Sequence, residues 1–253
     1  MLEEELAFAN ELADAAAAVA LRWFRRASLE VRTKADMTPV TQADLEIEAM
    51  VREALAARFP DDGVLGEEQG GTGEGSRIWV LDPIDGTKNF ADGVQVWATL
   101  IGLMVEGRVE LGVVSAPALG ERYESIRGTG AHLNGERIRV SETARLEEAF
   151  FCFAELKEWV GGPRWDALVD LMRASRRTRG FGDYWGHLLV ARGSADLAVE
   201  PQLSTWDWAA LQVIVEEAGG RMTTLDGEPP VHGGSVVTTN SALHDIVLAR
   251  LRA

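Results

Sequence analysis

The sequence predicts a layered fold in which an α+β domain is followed by an α/β domain. Two helical patterns and then a series of strand-length apolar runs occupy the first half, whereas helical and strand patterns alternate after about residue 145. Clustered helices beside consecutive strands are typical of α+β domains, and alternation is typical of α/β domains. We therefore expect an N-terminal domain with an antiparallel sheet over residues 1–140 and a C-terminal domain over residues 141–253, with helices and sheets in stacked layers.

Two helices are predicted at the start of the chain. In residues 3–26, small and apolar side chains recur at helical spacing on one stripe. This stripe consists of Leu6, Ala9, Ala13, Ala16, Ala20 and Trp23. A second helix is predicted over about residues 44–58. Thr41 is its expected N-cap, because Asp44 follows three residues later and can accept backbone N–H bonds.

Strand-length apolar runs follow the second helix. They cover residues 64–66, 78–81, 98–105, 109–115 and 122–127. Glu106-Gly107 and Asn134-Gly135 predict hairpin turns, since these residue pairs adopt the backbone angles that tight turns need.

Helices and strands alternate in the C-terminal half. Helices are predicted over residues 165–175, 184–192, 206–218 and 241–251. Strands are predicted over residues 176–180, 195–199, 221–224 and 236–239. Gly219-Gly220 is the expected C-terminal cap of the third of these helices.

The composition excludes several classes of function. The chain has 253 residues, of which 46% are hydrophobic, so it can bury a sizeable core. Its net charge of −15 argues against nucleic acids and anionic membranes, and against phosphate-bearing substrates unless metal ions reverse the local charge. The apolar runs are strand-length, the acidic N-terminus does not resemble a secretory signal, and the single Cys152 fits a cytoplasmic location.

Two aspartates stand at the end of a predicted buried strand. Asp82 and Asp85 follow the apolar run 78–81, and the backbone carbonyl of Ile84 lies in the same turn. Carboxylates this close repel each other unless a cation lies between them. Oxygen ligands suit Mg²⁺ or Mn²⁺. The alternative is a solvated acidic turn, because Asp and Pro are common in turns.

Two further segments carry acids beside apolar elements. Glu67 and its neighbour Glu68 end a short strand, and Asp207 lies in the first turn of an apolar helix. By itself, Asp207 could simply complement the helix dipole. Three separate element ends that each offer a carboxylate are what a multi-metal site requires.

These segments resemble a known family. "GEE" (66–68), "DPIDGTKNF" (82–90) and "WDWAA" (206–210) match, in order and spacing, the inositol monophosphatase superfamily of metal-dependent, lithium-sensitive sugar-phosphate phosphatases. "GVQVWATLIGLM" (93–104), "GVVSAPALGERYES" (112–125) and "RTRGFGDYWGHLLVA" (177–191) are most similar to its histidinol-phosphatase branch, which acts in histidine biosynthesis. Asp92 stands where this branch is expected to have a basic residue. The resemblance implies alternating α-β-α-β-α layers.

The resemblance also implies a set of site residues. Up to three Mg²⁺ ions, with Mn²⁺ able to substitute, would be held by Glu67, Asp82, Asp85, Asp207 and the carbonyl of Ile84. The N-terminal domain would therefore supply most metal ligands, and the C-terminal domain would supply Asp207 and the substrate contacts.

Catalytic roles follow from the same resemblance. Glu67 would share in holding the ion that carries the attacking water, and Thr87, bonded to Asp44, would orient and deprotonate that water. The alternative is that Thr87 only caps a helix. Backbone N–H groups of Gly86 and Thr87 at a helix N-terminus would bind phosphate.

Substrate contacts beyond the phosphate are expected from three residues. Glu200, seven residues before Asp207, and Asp183 suit the ammonium and imidazole of histidinol phosphate. Glu200 could equally accept hydroxyls of an inositol ring, and Asp183 could instead cap a helix. Arg179 is a candidate contact, or else a residue of the surface or of the sheet.

The expected partner is a small phosphorylated metabolite, with no nucleic acid and no membrane, and the family resemblance implies a homodimer. Alternative substrates are inositol or other sugar-alcohol phosphates and 3′-phosphonucleotides. A catalytically inactive binding protein is the alternative outside enzymes.

Overall fold

Two β-sheets form the frame of the protein, and helices cover both faces of each sheet. The structure is a computed structural model and describes residues 2–34, 39–73, 75–230 and 233–252. Within these residues, no helix combines the length and the apolar composition that crossing a bilayer requires.

The helices lie in three layers. They are α1 (Glu3–Trp23), α2 (Gln42–Arg58), α3 (Thr87–Ala91), α4 (Trp165–Ala174), α5 (Asp183–Ala191), α6 (Thr205–Glu217) and α7 (His244–Leu251). Helices α1 and α2 pack on the outer face of the first sheet, α5 and α6 lie between the sheets, and α4 and α7 cover the second sheet. The expected order of alternating helix and sheet layers is therefore confirmed.

The first sheet has eight strands in the order β10-β9-β8-β7-β6-β5-β3-β4. Its strands are β3 (Gly63–Gly66), β4 (Gly70–Thr72), β5 (Arg77–Asp85), β6 (Ala98–Val105), β7 (Arg108–Ala116), β8 (Glu121–Ile126), β9 (Gly130–Leu133) and β10 (Glu136–Arg137). A separate pair, β1 (Val31–Thr33) and β2 (Pro39–Thr41), leads into α2.

All neighbours in the first sheet are antiparallel except β3 and β5, which are parallel. Strand β4 pairs antiparallel with the outer side of β3. The chain then returns as β5, which pairs with the inner side of β3 and runs in the same direction as β3. Gly66 thus lies opposite Leu81, and both strands end at the same edge of the sheet. Residues that follow these two strands are therefore close in space.

The second sheet has five strands in the order β12-β11-β13-β15-β14. They are β11 (Phe150–Phe153), β12 (Arg177–Gly180), β13 (Leu197–Leu203), β14 (Arg221–Thr223) and β15 (Gly234–Thr239). Strand β11 is parallel to both β12 and β13, and the other pairs are antiparallel.

Alternation along the strands builds a separate core on each face of the first sheet. Trp79 and Leu81 of β5 pack in the cluster with α1 and α2, whereas Val80 packs in the cluster with α6. This is the period of two that a strand buried on both faces requires.

Helix bounds agree with the sequence to within about three residues, and the capping box of Thr41 and Asp44 at α2 is present. Four strands, β1, β2, β4 and β11, were not expected, and β9 and β10 were indicated only by the predicted hairpin turn at Asn134-Gly135. Residues 70–72 form β4 within a glycine-rich segment, and Phe150–Phe153 form the buried strand β11. A short continuous apolar run carries no periodicity that distinguishes strand from helix, which is why β11 escaped prediction.

The boundary near residue 140 stays our proposal for the domain division. The first sheet ends at Arg137 and the second begins at Phe150. However, α6 packs against β6 and β7 of the first sheet, so the two halves share one core.

Candidate active site

The end of β5 turns sharply into α3. Pairing between β5 and β6 breaks after Asp82 and resumes at Asp85. Gly86 then adopts a left-handed conformation with φ of 81°. A Cβ atom there would lie 2.9 Å from the Val96 carbonyl oxygen and 3.2 Å from Asp183 Oδ2, so only glycine fits this turn.

Asp82, Asp85 and Asp207 form a cluster in which one carboxylate oxygen of each lies within 4.8 Å of the others. Asp85 Oδ2 accepts from the Tyr184 N–H at 2.7 Å, and Asp207 Oδ2 accepts from the Ser204 N–H at 2.6 Å. Asp82 is 1% exposed, and its Oδ1 has no hydrogen-bond partner among the described residues. A buried carboxylate oxygen left unpaired is costly, and a cation would satisfy it.

The three aspartates repel one another. Burial raises the pKa of Asp82 well above its ordinary value, and the charges of Glu67, Asp85 and Asp207 add to this. Burial, with the charges of Asp183 and Asp207, likewise raises the pKa of Asp85. Burial raises the pKa of Asp207 to about 7, although the Ser204 N–H opposes the shift. A hard divalent cation fits this donor set, because it would relieve the repulsion and accept oxygen ligands.

Glu67 follows β3 and reaches the same cavity as Asp85 and Asp207. Its Oε1 accepts from Lys34 Nζ at 2.7 Å, and Glu68 Oε1 accepts from the same ammonium at 2.6 Å. Burial would lower the pKa of Lys34, but its hydrogen bonds to the two glutamates raise it overall. The sequence assigned no role to Lys34 or Glu68, because nothing local shows that β1 ends beside β3.

Thr87 contacts both Asp44 and Ile84. Its hydroxyl lies 2.8 Å from the Ile84 carbonyl oxygen and 3.3 Å from Asp44 Oδ1. Asp44 Oδ2 accepts from the backbone N–H of Thr41 at 2.9 Å and from the Thr41 hydroxyl. Burial raises the pKa of Asp44 to about 6, and the bonds from Thr41 oppose that shift. The N-cap position of α3 is Gly86, and Thr87 makes no side-chain capping bond there.

A cavity of about 610 Å³ lies elsewhere in the protein, but one of about 510 Å³ is lined by five of the predicted site residues. The acidic residues that line the second cavity are Glu67, Asp85, Glu155, Glu158, Asp183, Glu200 and Asp207. Lys88 is the single basic residue among the described lining residues, and its Nζ lies 2.8 Å from Glu155 Oε2. The cavity is therefore strongly acidic beyond the aspartate cluster.

Asp183 and Glu200 line this cavity, as predicted substrate contacts should. Asp183 has φ of 52° and begins α5, and its Oδ2 accepts from Asn89 Nδ2 at 3.0 Å. The N-cap of α5 is Gly182, so the alternative in which Asp183 caps the helix is not supported. Burial raises the pKa of Asp183 to about 6, with Lys88 opposing.

Glu200 is 3% exposed, and its carboxylate has no hydrogen-bond or ion-pair partner among the described residues. Burial raises the pKa of Glu200 well above its usual range, and the charges of Asp183 and Glu158 add to the effect. Arg179, by contrast, is exposed and donates to the Thr178 carbonyl oxygen at 2.8 Å. Arg179 is not among the residues that line the cavity, and its predicted substrate contact gains no support.

Sequence reasoning missed Glu155, Glu158 and Asn89 as residues of the cavity. Glu155 and Glu158 belong to a single-turn 3₁₀ segment just after β11, the strand that was also missed. Once β11 is placed parallel to β13, the segment after it must emerge near the end of that strand. Glu155 and Glu158 were therefore missed because β11, the strand before them, was not predicted.

Comparisons with known proteins agree with this geometry. The model of the inositol monophosphatase family matches residues 1–253. The histidinol-phosphatase of Mycobacterium tuberculosis is 46% identical over 259 residues, covering 100% of each chain. That of Streptomyces coelicolor is 46% identical over 257 residues, covering 98% of this chain and 97% of the relative.

Solved structures are similar over the full chain as well. An inositol monophosphatase from Zymomonas mobilis is 33% identical with a TM-score of 0.88, covering 100% of this chain and 99% of that one. An IMPase/NADP phosphatase complexed with Mg²⁺ and phosphate is 27% identical with a TM-score of 0.89, covering 100% and 96%.

Proposed function

The chain belongs to the inositol monophosphatase family, and we propose that it is a Mg²⁺-dependent phosphatase that hydrolyses L-histidinol phosphate. In this reaction water attacks phosphorus and the bond from phosphorus to the alkoxide oxygen breaks. The alkoxide takes up a proton, and the products are L-histidinol and phosphate. Two full-length relatives with 46% identity carry the name histidinol-phosphatase, which supports this substrate.

The observation that carries the substrate assignment is the carboxylate of Glu200, which lines an acidic cavity with no hydrogen-bond or ion-pair partner in the part of the chain that the structure describes. Glu155, Glu158 and Asp183 line the same space. Histidinol phosphate brings an ammonium and a titratable imidazole, and charge-assisted hydrogen bonds to these groups would offset the cost of burying the acids. An inositol ring offers only hydroxyl groups and would leave the repulsion among the acids in place.

Metal binding is the second part of the proposal. The residues that would hold up to three Mg²⁺ ions are Glu67, Asp82, Asp85, Asp207 and the carbonyl group of Ile84. The unpaired Oδ1 of Asp82 and the mutual repulsion of the aspartates support this donor set. Bound Mg²⁺ would lower the pKa of a water ligand and neutralise charge that develops on the phosphate and the leaving oxygen, and Mn²⁺ would substitute.

The chain's own groups would orient the reactants. A threonine hydroxyl accepts a hydrogen bond from water only when its own proton points elsewhere. Asp44 Oδ1 provides that acceptor for Thr87, so the Thr87 oxygen can orient the water, and as it takes a proton from the water its own proton would pass to Asp44. Backbone N–H groups of Gly86 and Thr87 would bind phosphate oxygens. Phosphoryl transfer depends on such positioning and electrostatic contacts more than on covalent chemistry.

The proposal includes three further properties: a homodimer, inhibition by lithium, and a cytoplasmic location. The location is compatible with Cys152, a single buried cysteine. Sedimentation of the purified protein measures the assembly, and hydrolysis assays with added LiCl measure the inhibition.

Steady-state kinetics on a panel of phosphate esters test the function. The panel contains L-histidinol phosphate, inositol 1-phosphate and a 3′-phosphonucleotide, each with Mg²⁺ and with EDTA. We expect the highest kcat/KM for histidinol phosphate and loss of all activity in EDTA. A higher kcat/KM for inositol 1-phosphate or for the 3′-phosphonucleotide would mean that this ester, and not histidinol phosphate, is the preferred substrate. Rescue of a histidine-requiring strain that lacks this phosphatase provides the test in cells.

A further inference from the structure

Helix α2 contacts the turn that carries Glu67 through a buried ion pair. Glu48 has no solvent exposure, and Arg52 lies one helical turn further along α2. Arg52 Nε donates to Glu48 Oε1 at 2.8 Å. Neither residue lines the acidic cavity, so neither contacts the substrate in the proposed function.

Both members of the pair hold the backbone that follows Glu67. Glu48 Oε2 accepts from the Glu68 N–H at 2.8 Å, and Oε1 accepts from the Gln69 N–H at 2.9 Å. The guanidinium of Arg52 also donates to the Gly70 carbonyl oxygen and, at 3.2 Å, to the Thr72 hydroxyl. Four residues of the turn after β3 and of β4, at positions 68, 69, 70 and 72, are therefore bonded to α2.

The residue before Glu67 is held from the same side. A Cβ atom at Gly66 would lie 2.5 Å from Glu48 Oε1 and 2.8 Å from Arg52 Nη2. The ion pair thus lies directly against the backbone at Gly66, which must remain glycine for this approach. Glu67 therefore lies between Gly66, which packs closely against the ion pair, and Glu68, whose N–H is bonded to Glu48.

The same helix also carries Asp44, four residues before Glu48. Residues four apart lie on the same face of a helix. Helix α2 therefore sets the position of Asp44, which contacts Thr87, and of the backbone that bears Glu67. A rigid element that supports two parts of a site defines their relative geometry better than two separate loops would.

We propose that Glu48 and Arg52 are positioning residues that hold Glu67 in the geometry needed to bind a divalent cation. A buried ion pair is weak evidence for stability, because apolar replacements of similar volume are often neutral. Partners of metal ligands, however, contribute strongly to metal affinity. The inference rests on the proposed function, since it assumes that Glu67 is a metal ligand.

The test compares Glu48→Gln with Glu46→Gln in the full-length protein. Glu46 lies on the same helix, but it is exposed and pairs with Arg22 outside the site. Calorimetric titration with MgCl₂ gives the dissociation constant, and hydrolysis assays give the half-saturating Mg²⁺ concentration. We expect Glu48→Gln to raise both about tenfold or more, and Glu46→Gln to leave both unchanged.

A role in stability alone would lower the melting temperature of Glu48→Gln without changing its Mg²⁺ dissociation constant, and that result would overturn the inference. If Glu48→Gln does not fold, Arg52→Lys takes its place. Lysine keeps a cation beside Glu48 but cannot reach Gly70 and Thr72 as well, so we expect a smaller shift in the same direction. An unchanged constant in folded Arg52→Lys also overturns the inference.

The two proposals fail in different ways. Absence of Mg²⁺ binding by the wild-type protein would contradict the proposed function. Normal binding by the wild type, together with an unchanged constant in the folded variants, would contradict only the positioning role of Glu48 and Arg52.

Discussion

The hydroxyl of Thr87 lies 3.3 Å from Asp44 Oδ1, so a residue at the start of α3 contacts one in the first turn of α2. The same hydroxyl is closer to the Ile84 carbonyl oxygen, at 2.8 Å. One proton cannot serve both acceptors at full strength. If the Ile84 carbonyl binds a cation, the Thr87 proton turns to Asp44, and the proposed roles of Ile84, Thr87 and Asp44 become mutually consistent.

We predict that Thr87→Ala lowers kcat on the preferred substrate by roughly 10²- to 10⁴-fold, the usual contribution of a general base. The fold should remain intact, because the side chain makes no capping bond in α3. Thr87→Ser is the matched control, since it keeps the hydroxyl, and it should retain most of the activity. A kcat for Thr87→Ala within tenfold of wild type would contradict the proposed role.

Removing one charge from the aspartate cluster should stabilise the metal-free protein. We predict that Asp82→Asn raises the melting temperature in EDTA, because burial and four neighbouring acids disfavour the charged form of Asp82. The same change should abolish most of the stabilisation by Mg²⁺ and lower kcat by orders of magnitude.

The control for that experiment is Asp61→Asn, since Asp61 is exposed and stands apart from the cluster. Asp61→Asn should change neither the melting temperature in EDTA nor the stabilisation by Mg²⁺. Thermal melts with EDTA and with MgCl₂ provide both measurements. A lower melting temperature of Asp82→Asn than of wild type in EDTA would contradict the inference that repulsion among the buried acids destabilises the metal-free protein.

The contribution of Asp207 and Asp44 to the stability of the metal-free protein should fall with rising pH. Burial raises the pKa of Asp207 to about 7 and that of Asp44 to about 6, from an ordinary value of 3.8. At pH values between the ordinary pKa of 3.8 and these raised values, the unfolded chain binds fewer protons at Asp207 and Asp44 than the folded protein does. The contribution of these two groups to the free energy of unfolding therefore decreases as pH increases. The part of this loss that comes from Asp207 and Asp44 begins near pH 4 and is complete above about pH 7.

Denaturant unfolding at pH 5.5 and 7.5, with EDTA and with MgCl₂, measures this dependence. Mg²⁺ should stabilise the protein more at pH 7.5, where the carboxylates must ionise in the folded state. Asp207→Asn should show a weaker pH dependence in EDTA than wild type. Equal stabilisation by Mg²⁺ at both pH values would argue against a cluster with raised pKa values.

Substrate selectivity should depend on Glu200. We predict that Glu200→Gln raises KM for histidinol phosphate roughly 10- to 150-fold, since a hydrogen bond to a charged group contributes about 1.5–3 kcal/mol. The KM for inositol 1-phosphate should change less, because glutamine still accepts bonds from hydroxyl groups. Glu136→Gln, at an exposed position on β10, is the control. Equal effects on both substrates would mean that Glu200 does not recognise a cation.

The sequence predicted most of the site because its acids follow local rules. Asp82 and Asp85 end an apolar strand, and Asp44 and Asp207 each occupy the third position of a helix with a Ser or Thr cap. In both helices one carboxylate oxygen serves the cap and the other remains available. The capping and functional interpretations of these aspartates are therefore compatible rather than exclusive.

Other parts depended on contacts that no local pattern encodes. Lys34 reaches Glu67 only because β1 ends beside β3, and the acidic residues at 155 and 158 line the cavity only because β11 runs parallel to β13. Arg179 was predicted as a substrate contact or as a residue of the surface or the sheet, and it is exposed on β12 with a bond to the Thr178 carbonyl oxygen, so the contact stays a prediction.

By itself, the sequence determined which residues are candidates for the chemistry, through the family resemblance and through caps, strand ends and turn glycines that are set by interactions within a few residues. Only the tertiary structure decided which of these groups meet. The parallel pairing of β3 with β5 and the insertion of α5 and α6 between the sheets bring separate acids within a few ångströms. That arrangement arises from burial of apolar faces that are far apart in the chain, so it is a property of the whole core rather than of any segment.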